Sequence, residues 1–470
     1  MQSSSPQSQT SSNPSLTLAS NATTPRRRIS LGICGIGTVG GGTVEVLLRN
    51  AQEINARSGV NVELTHLGSR RELAHIDTSN IRVSNDVFAV AQDSDVDILV
   101  ELIGGTTVAR DLVITAIKAG KHVVTANKAL IAEHGNELFA LADKHRVSIA
   151  FESAVAGGIP IISALREGLA ANRIDWLAGI INGTGNFILS EMREKGREFK
   201  DVLAEAQELG YAEADPTFDV EGIDAAHKLV ILASIAFGMP LDFDKVYTEG
   251  IGAIETVDVE YAEELGFRIK HLGIAKRRSA SQVEIRVHPT LIPDKRLIAN
   301  VNGVMNAVVV HGDAVGPTLY YGAGAGAEPT ASAVIADIVR LCRGLQDGKT
   351  DEGDRLAPSL SSMPSLGVSA EQLATYKILE PTEFVSSYYL RVTAEDRPGV
   401  LAHITQILSG REISVRAIIQ KNMDDEHDCL PIIILTNYVK EALLNEAISD
   451  IAKLESVRDD IVRIRVEDLA

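Results

Sequence analysis

The segment Gly210-Tyr211-Ala212-Glu213-Ala214-Asp215-Pro216, running on through Asp219 and Asp224 to Lys228, holds the densest set of side chains able to do chemistry. Asp224 and Lys228 are four residues apart, so on a helix they share one face. Around them stand Ala225, Ala226, Leu229, Val230, Ile231 and Leu232, and the run Ile223–Phe237 is predicted to be a buried helix. A lysine on such a helix is costly unless it is paired or put to work. An ammonium in such a place can stabilise negative charge that develops on a nearby oxygen and protonate it. The same two residues also read as a structural ion pair at a helix start, where the dipole favours Asp224. Glu213 or Asp215 offers a carboxylate for a substrate ammonium, and His227, on another face, reads as a packed core histidine.

Hydride chemistry belongs to a cofactor, with the protein supplying orientation and charge. The stretch Leu31-Gly32-Ile33-Cys34-Gly35-Ile36-Gly37-Thr38-Val39-Gly40 suits one. An apolar strand precedes Gly35, Gly37 and Gly40, which are spaced G-x-G-x-x-G, and Thr43 to Leu48 continues as a helix. Glycine serves the tight turn, the close approach of a diphosphate and the packing of helix on strand. The diphosphate would sit on the helix N-terminus, where free N–H groups and the dipole favour negative charge. A Gly-rich turn without a ligand is the plainer reading. The next strand ends in Gly68-Ser69-Arg70-Arg71, with no carboxylate for a ribose 2′-hydroxyl. Guanidinium groups there suit a 2′-phosphate and favour NADPH over NADH, unless they are only solvated surface. Lys128, after a strand at Thr125-Ala126-Asn127, is placed on the ligand edge of the sheet or else at an exposed helix start. Glu152 ends another strand on that edge. Ala156-Gly157-Gly158 beside it lets backbone carbonyls converge, on a hard monovalent cation or merely in a tight turn.

The elements that must carry these residues follow from the pattern. Strands and helices alternate over residues 29–151, which predicts an α/β unit with a Rossmann-type parallel sheet. Residues 152–329 read as an α+β unit, with strands near 269–276, 283–290 and 307–311 in a second, open sheet. Residues 322–326 read as a flexible turn, and the helix over 330–343 is expected to pack back on the nucleotide unit. Residues 345–385 read as a linker, and 386–470 as a ferredoxin-like βαββαβ unit. Residues 1–28, rich in Ser, Thr, Gln and Pro, read as a disordered tail, a targeting segment being the alternative. The net charge of −18 argues against nucleic acid as a partner. No apolar run approaches the ~18 residues of a membrane span. Cys34, Cys342 and Cys429 are far apart, which indicates neither a disulfide framework nor a zinc site and fits a reducing, cytoplasmic setting.

Taken together the motifs resemble homoserine dehydrogenase of the monofunctional type with a C-terminal ACT domain. The resemblance covers roughly residues 29–470. It rests on the Gly-rich stretch, Thr125-Ala126-Asn127-Lys128, Glu152 through Pro160, Asn182-Gly183-Thr184-Gly185-Asn186, and Leu209 through Pro216 running to Lys228. It implies interconversion of L-aspartate 4-semialdehyde and L-homoserine with NADPH or NADH, on the route to threonine and methionine. It implies Lys228 as the catalytic lysine and Glu213 and Asp224 as substrate-binding acids. Ile36, Thr38, Val39, Arg70, Lys128, Gly210 and Gly324 match nucleotide-contacting positions. Glu152, Val155, Gly157 and Ile159 match a site for a sodium-like ion, most of whose ligands are carbonyls. Gly185 takes the variable place of the family loop Asn-Gly-Thr-x-Asn. The loop Asp396-Arg397-Pro398-Gly399-Val400 looks like that of an ACT domain, implying a small amino acid, threonine, as effector and a homo-oligomer, dimer or tetramer. A linker at 345–385 would make this sensor detachable, so truncation near residue 360 is expected to leave an active enzyme. Two other readings compete: an acylating aspartate-semialdehyde dehydrogenase, which needs a cysteine nucleophile, and a nucleotide- and amino-acid-sensing regulator without catalysis.

Overall fold

The computed structural model describes residues 27–70, 76–346, 364–421 and 429–469. The expected tail, apart from its last two residues, lies outside the described residues, as do Arg71 and the middle of the expected linker.

The first sheet holds β1 (Arg28–Cys34), β2 (Asn61–Gly68), β3 (Arg82–Ser84), β4 (Ile98–Glu101), β5 (His122–Thr125) and β6 (Ile149–Ala150). Its order is β3-β2-β1-β4-β5-β6 and every pairing is parallel. Ile29, Leu31, Ile33, Ile98, Leu99 and Val100 are all fully buried, as expected for strands covered on both faces. The order reverses between β1 and β4, which opens a crevice beyond their C-terminal ends. Strand β3 and the helix Val87–Gln92 give no clear signal in the sequence, because three half-exposed residues are too few to show a period. The helix Ala327–Gln346 does pack back: Ala331, Val334 and Ile338 share a core with Ile29, Leu31, Val44 and Leu47.

The second sheet begins with β7 (Ile174–Ile180), β8 (Tyr247–Thr248), β9 (Phe267–Arg277), β10 (Gln282–Pro293), β11 (Met305–Gly312) and β12 (Gly316–Ala323). Its path runs β12-β11-β7-β9-β10, with β8 also on β10. Gly322 and Ala323 pair with Asn306 and Met305, so the expected flexible turn shrinks to Gly324-Ala325-Gly326. The buried helix spans Ile223–Phe237, the bounds expected from its apolar run. It lies against β9 and β10.

The C-terminal unit holds β13 (Lys377–Ile378), β14 (Val385–Glu395), β15 (Val415–Gln420), β16 (Cys429–Thr436), β17 (Val439–Lys440) and β18 (Val462–Val466), with helices Val400–Ser409 and Glu441–Ile451. Its sheet order, β18-β14-β16-β15, is the ferredoxin-like one. It does not hang on a free linker. β18 pairs in parallel with β10, Thr290 opposite Arg465 and Leu291 opposite Val466, so one sheet runs through both units. Residues 364–385 are fastened as well. Leu366 is buried in the main core, Arg166 Nη1 donates to Ser365 O at 3.1 Å, and β13 lies on β10. The linker expectation is therefore corrected for 364–385, where scattered apolar residues such as Leu366 and Ile378 make real contacts without any readable period.

Charged groups bury themselves along this seam. Arg391 donates to Asp258 at 2.8 and 3.2 Å, and Tyr389 Oη donates to the same carboxylate at 2.9 Å. Arg465 pairs with Glu441 and Glu249, and Arg286 Nη2 reaches Glu467 Oε1 at 2.5 Å. Burial would raise the Glu467 carboxyl, but Arg286 and Lys276 outweigh it and hold the group down to about 2.

Candidate active site

A cleft of about 570 Å³ opens between the two sheets. Its floor is the start of helix Ile223–Phe237. Lys228 Nζ donates to Asp224 Oδ2 at 2.6 Å and to Ile181 O at 2.7 Å. An ammonium has three protons, so these two bonds leave one for the cleft that Lys228 lines. On the other carboxylate oxygen, Lys128 Nζ stands 3.1 Å from Asp224 Oδ1. Asp224 is almost fully buried, which alone would raise its pKa. The two ammonium groups and a hydrogen bond from Asn182 overcome that and hold it well below the usual carboxylate range. Asp224 thus clamps two lysines, one at the start of the helix Lys128–His145 and one on its own helix.

Asn182 explains the loop that carries it. Its Oδ1 accepts from Gly185 N at 2.7 Å, capping the helix Gly183–Lys195. Its Nδ2 donates to Asp219 Oδ1 at 2.7 Å and Asp224 Oδ2 at 2.9 Å. Burial raises the Asp219 carboxyl and the neighbouring Asp224 charge adds to this, against the Asn182 hydrogen bond. Thr184 Oγ1 donates to Tyr211 O at 2.6 Å and so fixes the Gly210–Glu213 turn. In the sequence the Asn182 loop stands out only as a motif, with no role attached to Asn182 or Thr184. Glu101 carries no signal in the sequence, yet it is a fully buried carboxylate that accepts from Thr125 Oγ1 at 2.6 Å and Ile103 N at 2.8 Å. Glu101 ties the ends of β4 and β5 together beneath Lys128.

Of the residues expected at the site, Val39, Lys128, Gly157, Gly210, Glu213, Asp224, Lys228 and Gly324 line the cleft. Glu213 is exposed at its mouth, whereas Asp215 accepts Thr217 N at 3.1 Å and is not in the lining. Gly35, Ile36, Gly37, Thr38 and Gly40 form the turn into the helix Thr38–Arg49. Gly35 has φ 92°, and a Cβ on Gly40 would fall 1.9 Å from Gly35 O, so the turn admits glycine at both places. No side chain caps this helix and its first turn holds no acid, which leaves its N-terminus to an anion such as a diphosphate. Arg70 stands exposed just beyond β2.

Glu152, Val155 and Ile159 lie behind the lining. The Glu152 carboxylate accepts Ile162 N at 2.8 Å and Ser163 N at 2.9 Å and pairs with Arg340 at 3.3 Å. What remains there for a cation is carbonyl oxygen on a turn with left-handed Ala156 (φ 56°) and Gly157 (φ 49°). Neutral oxygen donors without a free carboxylate fit a hard monovalent ion. Among the described residues, no group of three or more His, Cys, Asp or Glu is arranged for a metal ion. His227 stacks on Phe243 with centroids 4.2 Å apart, as a packed core histidine does. Cys34 and Cys342 are buried with thiols pushed far up, Cys342 to about 12, so neither offers a thiolate. No helix among the described residues is long and apolar enough to cross a membrane.

Comparison with known proteins matches three family models: the NAD-binding domain of homoserine dehydrogenase over residues 35–152, homoserine dehydrogenase over 160–339, and the ACT domain over 388–456. A homoserine dehydrogenase of Pseudomonas aeruginosa is 59% identical over 441 residues, spanning 94% of this chain and 99% of that one. One from Neisseria gonorrhoeae is 51% identical over 442 residues, with the same 94% and 99% coverage. The crystal structure of a homoserine dehydrogenase from Thiobacillus denitrificans superimposes with a TM-score of 0.87 at 54% identity, covering 95% of this chain and all of that one. An archaeal homoserine dehydrogenase solved in complex with NADPH is 27% identical with a TM-score of 0.57, over 67% of this chain and 97% of that one.

Proposed function

The chain belongs to the homoserine dehydrogenase family and is an oxidoreductase with an NAD-binding and an ACT domain; from that premise we propose that it interconverts L-aspartate 4-semialdehyde and L-homoserine with Lys228 as proton donor and acceptor. The observation that carries this is the Lys228 ammonium, held by Asp224 and Ile181 O at the floor of the cleft with one proton left to give. The nicotinamide, when bound, supplies or accepts the hydride. Lys228 holds the proton for the carbonyl oxygen, where a fixed ammonium also stabilises developing negative charge. Asp224 keeps Lys228 and Lys128 in place, and with Glu213 supplies the acids of the substrate site. Turnover of Lys228→Ala tests the reading: kcat falls by about 10²-fold or more, the scale of general-acid loss, while cofactor titrations stay normal. Near-normal turnover in a folded variant would refute it.

The cofactor's diphosphate is read onto the helix start at Gly37–Gly40, with Ile36, Thr38, Val39, Lys128, Gly210 and Gly324 around it. Arg70 favours NADPH, and the NADPH complex of the archaeal relative supports that choice. A sodium-like ion is read onto the carbonyls of Glu152, Val155, Gly157 and Ile159, where it would stiffen the turn beside the cleft. Strand β12 is an edge strand with Leu319 and Tyr321 exposed, which supports a homo-oligomer joined there. Threonine is read onto the loop before the helix Val400–Ser409, where left-handed Gly399 (φ 97°) lets a carboxylate near the helix start. Because β18 is part of the catalytic sheet, a cut near residue 360 is no longer a clean test of this. Threonine should inhibit the intact enzyme, and Gly399→Val should blunt that inhibition; equal inhibition of both proteins would place the effector elsewhere.

A further inference from the structure

One segment, Glu249-Gly250-Ile251, touches both the C-terminal unit and the floor of the cleft. Its carboxylate faces the C-terminal unit. Glu249 Oε2 accepts from Arg465 Nη1 at 2.7 Å, Arg463 Nη2 at 3.2 Å and Tyr247 Oη at 2.7 Å. Both arginines belong to β18. The backbone of the same segment faces the helix Ile223–Phe237. Ile251 N donates to Val220 O at 3.0 Å, two residues before Gly222, the left-handed residue (φ 82°) that begins the helix. His271 Nε2 lies 3.0 Å from Glu249 O, and burial keeps this ring neutral, so its N–H donates. The ring of His271 in turn lies against two glycines of the site. A Cβ on Gly222 would come 3.1 Å from its Cε1, and one on Gly185 would come 3.5 Å from its Nδ1.

We propose that Glu249 is a positioning residue through which Arg463 and Arg465 of the C-terminal unit set where the helix bearing Asp224 and Lys228 begins. A shift of β18 moves the Glu249 carboxylate, and the short rigid path through Ile251 and His271 carries that shift to Val220, Gly222 and Gly185. The catalytic consequence rests on Lys228 acting as described above; the mechanical link does not. Coupling of this kind needs an element that both ends bias, and this three-residue segment is bonded on both sides.

The test uses the full chain and three variants, Arg463→Gln, Glu249→Gln and the double substitution. It reads amide hydrogen exchange over residues 219–229 alongside steady-state kinetics. Each single variant should speed exchange over that stretch by about 10-fold, as for a locally loosened helix start, while β1 and β4 stay protected. Turnover should fall by about 5-fold with the cofactor KM unchanged, and the double variant should be no worse than Glu249→Gln, since both cut one link. Arg463 is partly exposed, so Arg463→Gln keeps the test alive if Glu249→Gln does not fold. Unchanged exchange over 219–229, exchange raised equally everywhere, or fully multiplicative effects would each overturn the proposal. If Lys228→Ala kept its turnover, the catalytic reading would fail while the exchange result still stood.

Discussion

The two flanks of the catalytic unit are built from opposite materials. On the nucleotide side the working parts are backbone: a left-handed Gly35, a Gly40 with no room for Cβ, an uncapped helix start and a turn of small residues at 324–326. On the C-terminal side they are charged side chains buried in pairs, with Arg286, Arg465, Asp258 and Glu441 at or near zero exposure. A ligand that comes and goes calls for a preformed, largely neutral cradle with free N–H groups. A partner that stays can be held by ions whose desolvation is repaid only in good geometry. The contrast separates binding from assembly, and each side should fail in its own way.

The largest effect is expected at the seam. Asp258→Ala strands the buried Arg391 beside a single exposed Glu255 and strips Tyr389 of its acceptor. That should lower unfolding stability by about 3–5 kcal/mol, the usual cost of breaking a buried pair, with cofactor affinity little changed. Denaturant melts beside NADPH titrations would show it, and a loss of affinity alone would erase the distinction drawn here.

Acid should attack the same flank next. The Glu467 carboxyl sits at about 2 in the folded protein against an ordinary 4.5, so its contribution is whole above pH 4.5 and fades as pH falls towards 2. The difference amounts to about 3 kcal/mol at most by linkage. Stability measured from pH 5 to 3.5 should drop less steeply in Glu467→Gln; parallel curves would show that other carboxylates dominate.

On the nucleotide flank, Gly40→Ala must displace the Gly35 carbonyl, which costs some stability, and should weaken NADPH by about 100-fold, or about 2.7 kcal/mol. The smallest effect is Arg70→Ala, which should cost NADPH about 10-fold while sparing NADH, because only the former carries a 2′-phosphate. Equal losses would make Arg70 structural.

These same two flanks differ in how far they can be read in the sequence. Gly35 needs a left-handed φ in a tight turn and Gly40 meets Gly35 O five residues before it, so their spacing is itself the signal. Asp224 and Lys228 are equally local, one helical turn apart, and the helix bounds follow from a run that is apolar nearly all round. Lys128 meeting Asp224 is not local, nor is Asn182 bridging Asp219 and Asp224. Those contacts are made by chain reversal: strand position flagged Lys128, the acid-rich segment flagged Asp219 and Asp224, a family pattern flagged the Asn182 loop, and nothing local says that they meet. The seam was illegible for the same reason. Asp258 and Arg391, or Arg286 and Glu467, look like ordinary surface charges until β18 is laid beside β10. Residues 364–385 deceived for a compositional reason: Pro, Ser and Gly suggested a free strand of chain, while the few apolar side chains among them do the fastening.

The pairing of β10 with β18 has a further consequence, for the birth of the molecule. β10 is complete once Pro293 is made, yet its neighbour begins only at Val462. Until then β10, paired with β9 on one side, has its other edge open at Thr290 and Leu291, and Arg286 has no Glu467 to meet. An open strand edge is a template for the wrong neighbour, and contacts so distant along the chain form slowly. During synthesis the hazard therefore lies with the catalytic sheet, and the C-terminal unit first serves as the cover that closes it.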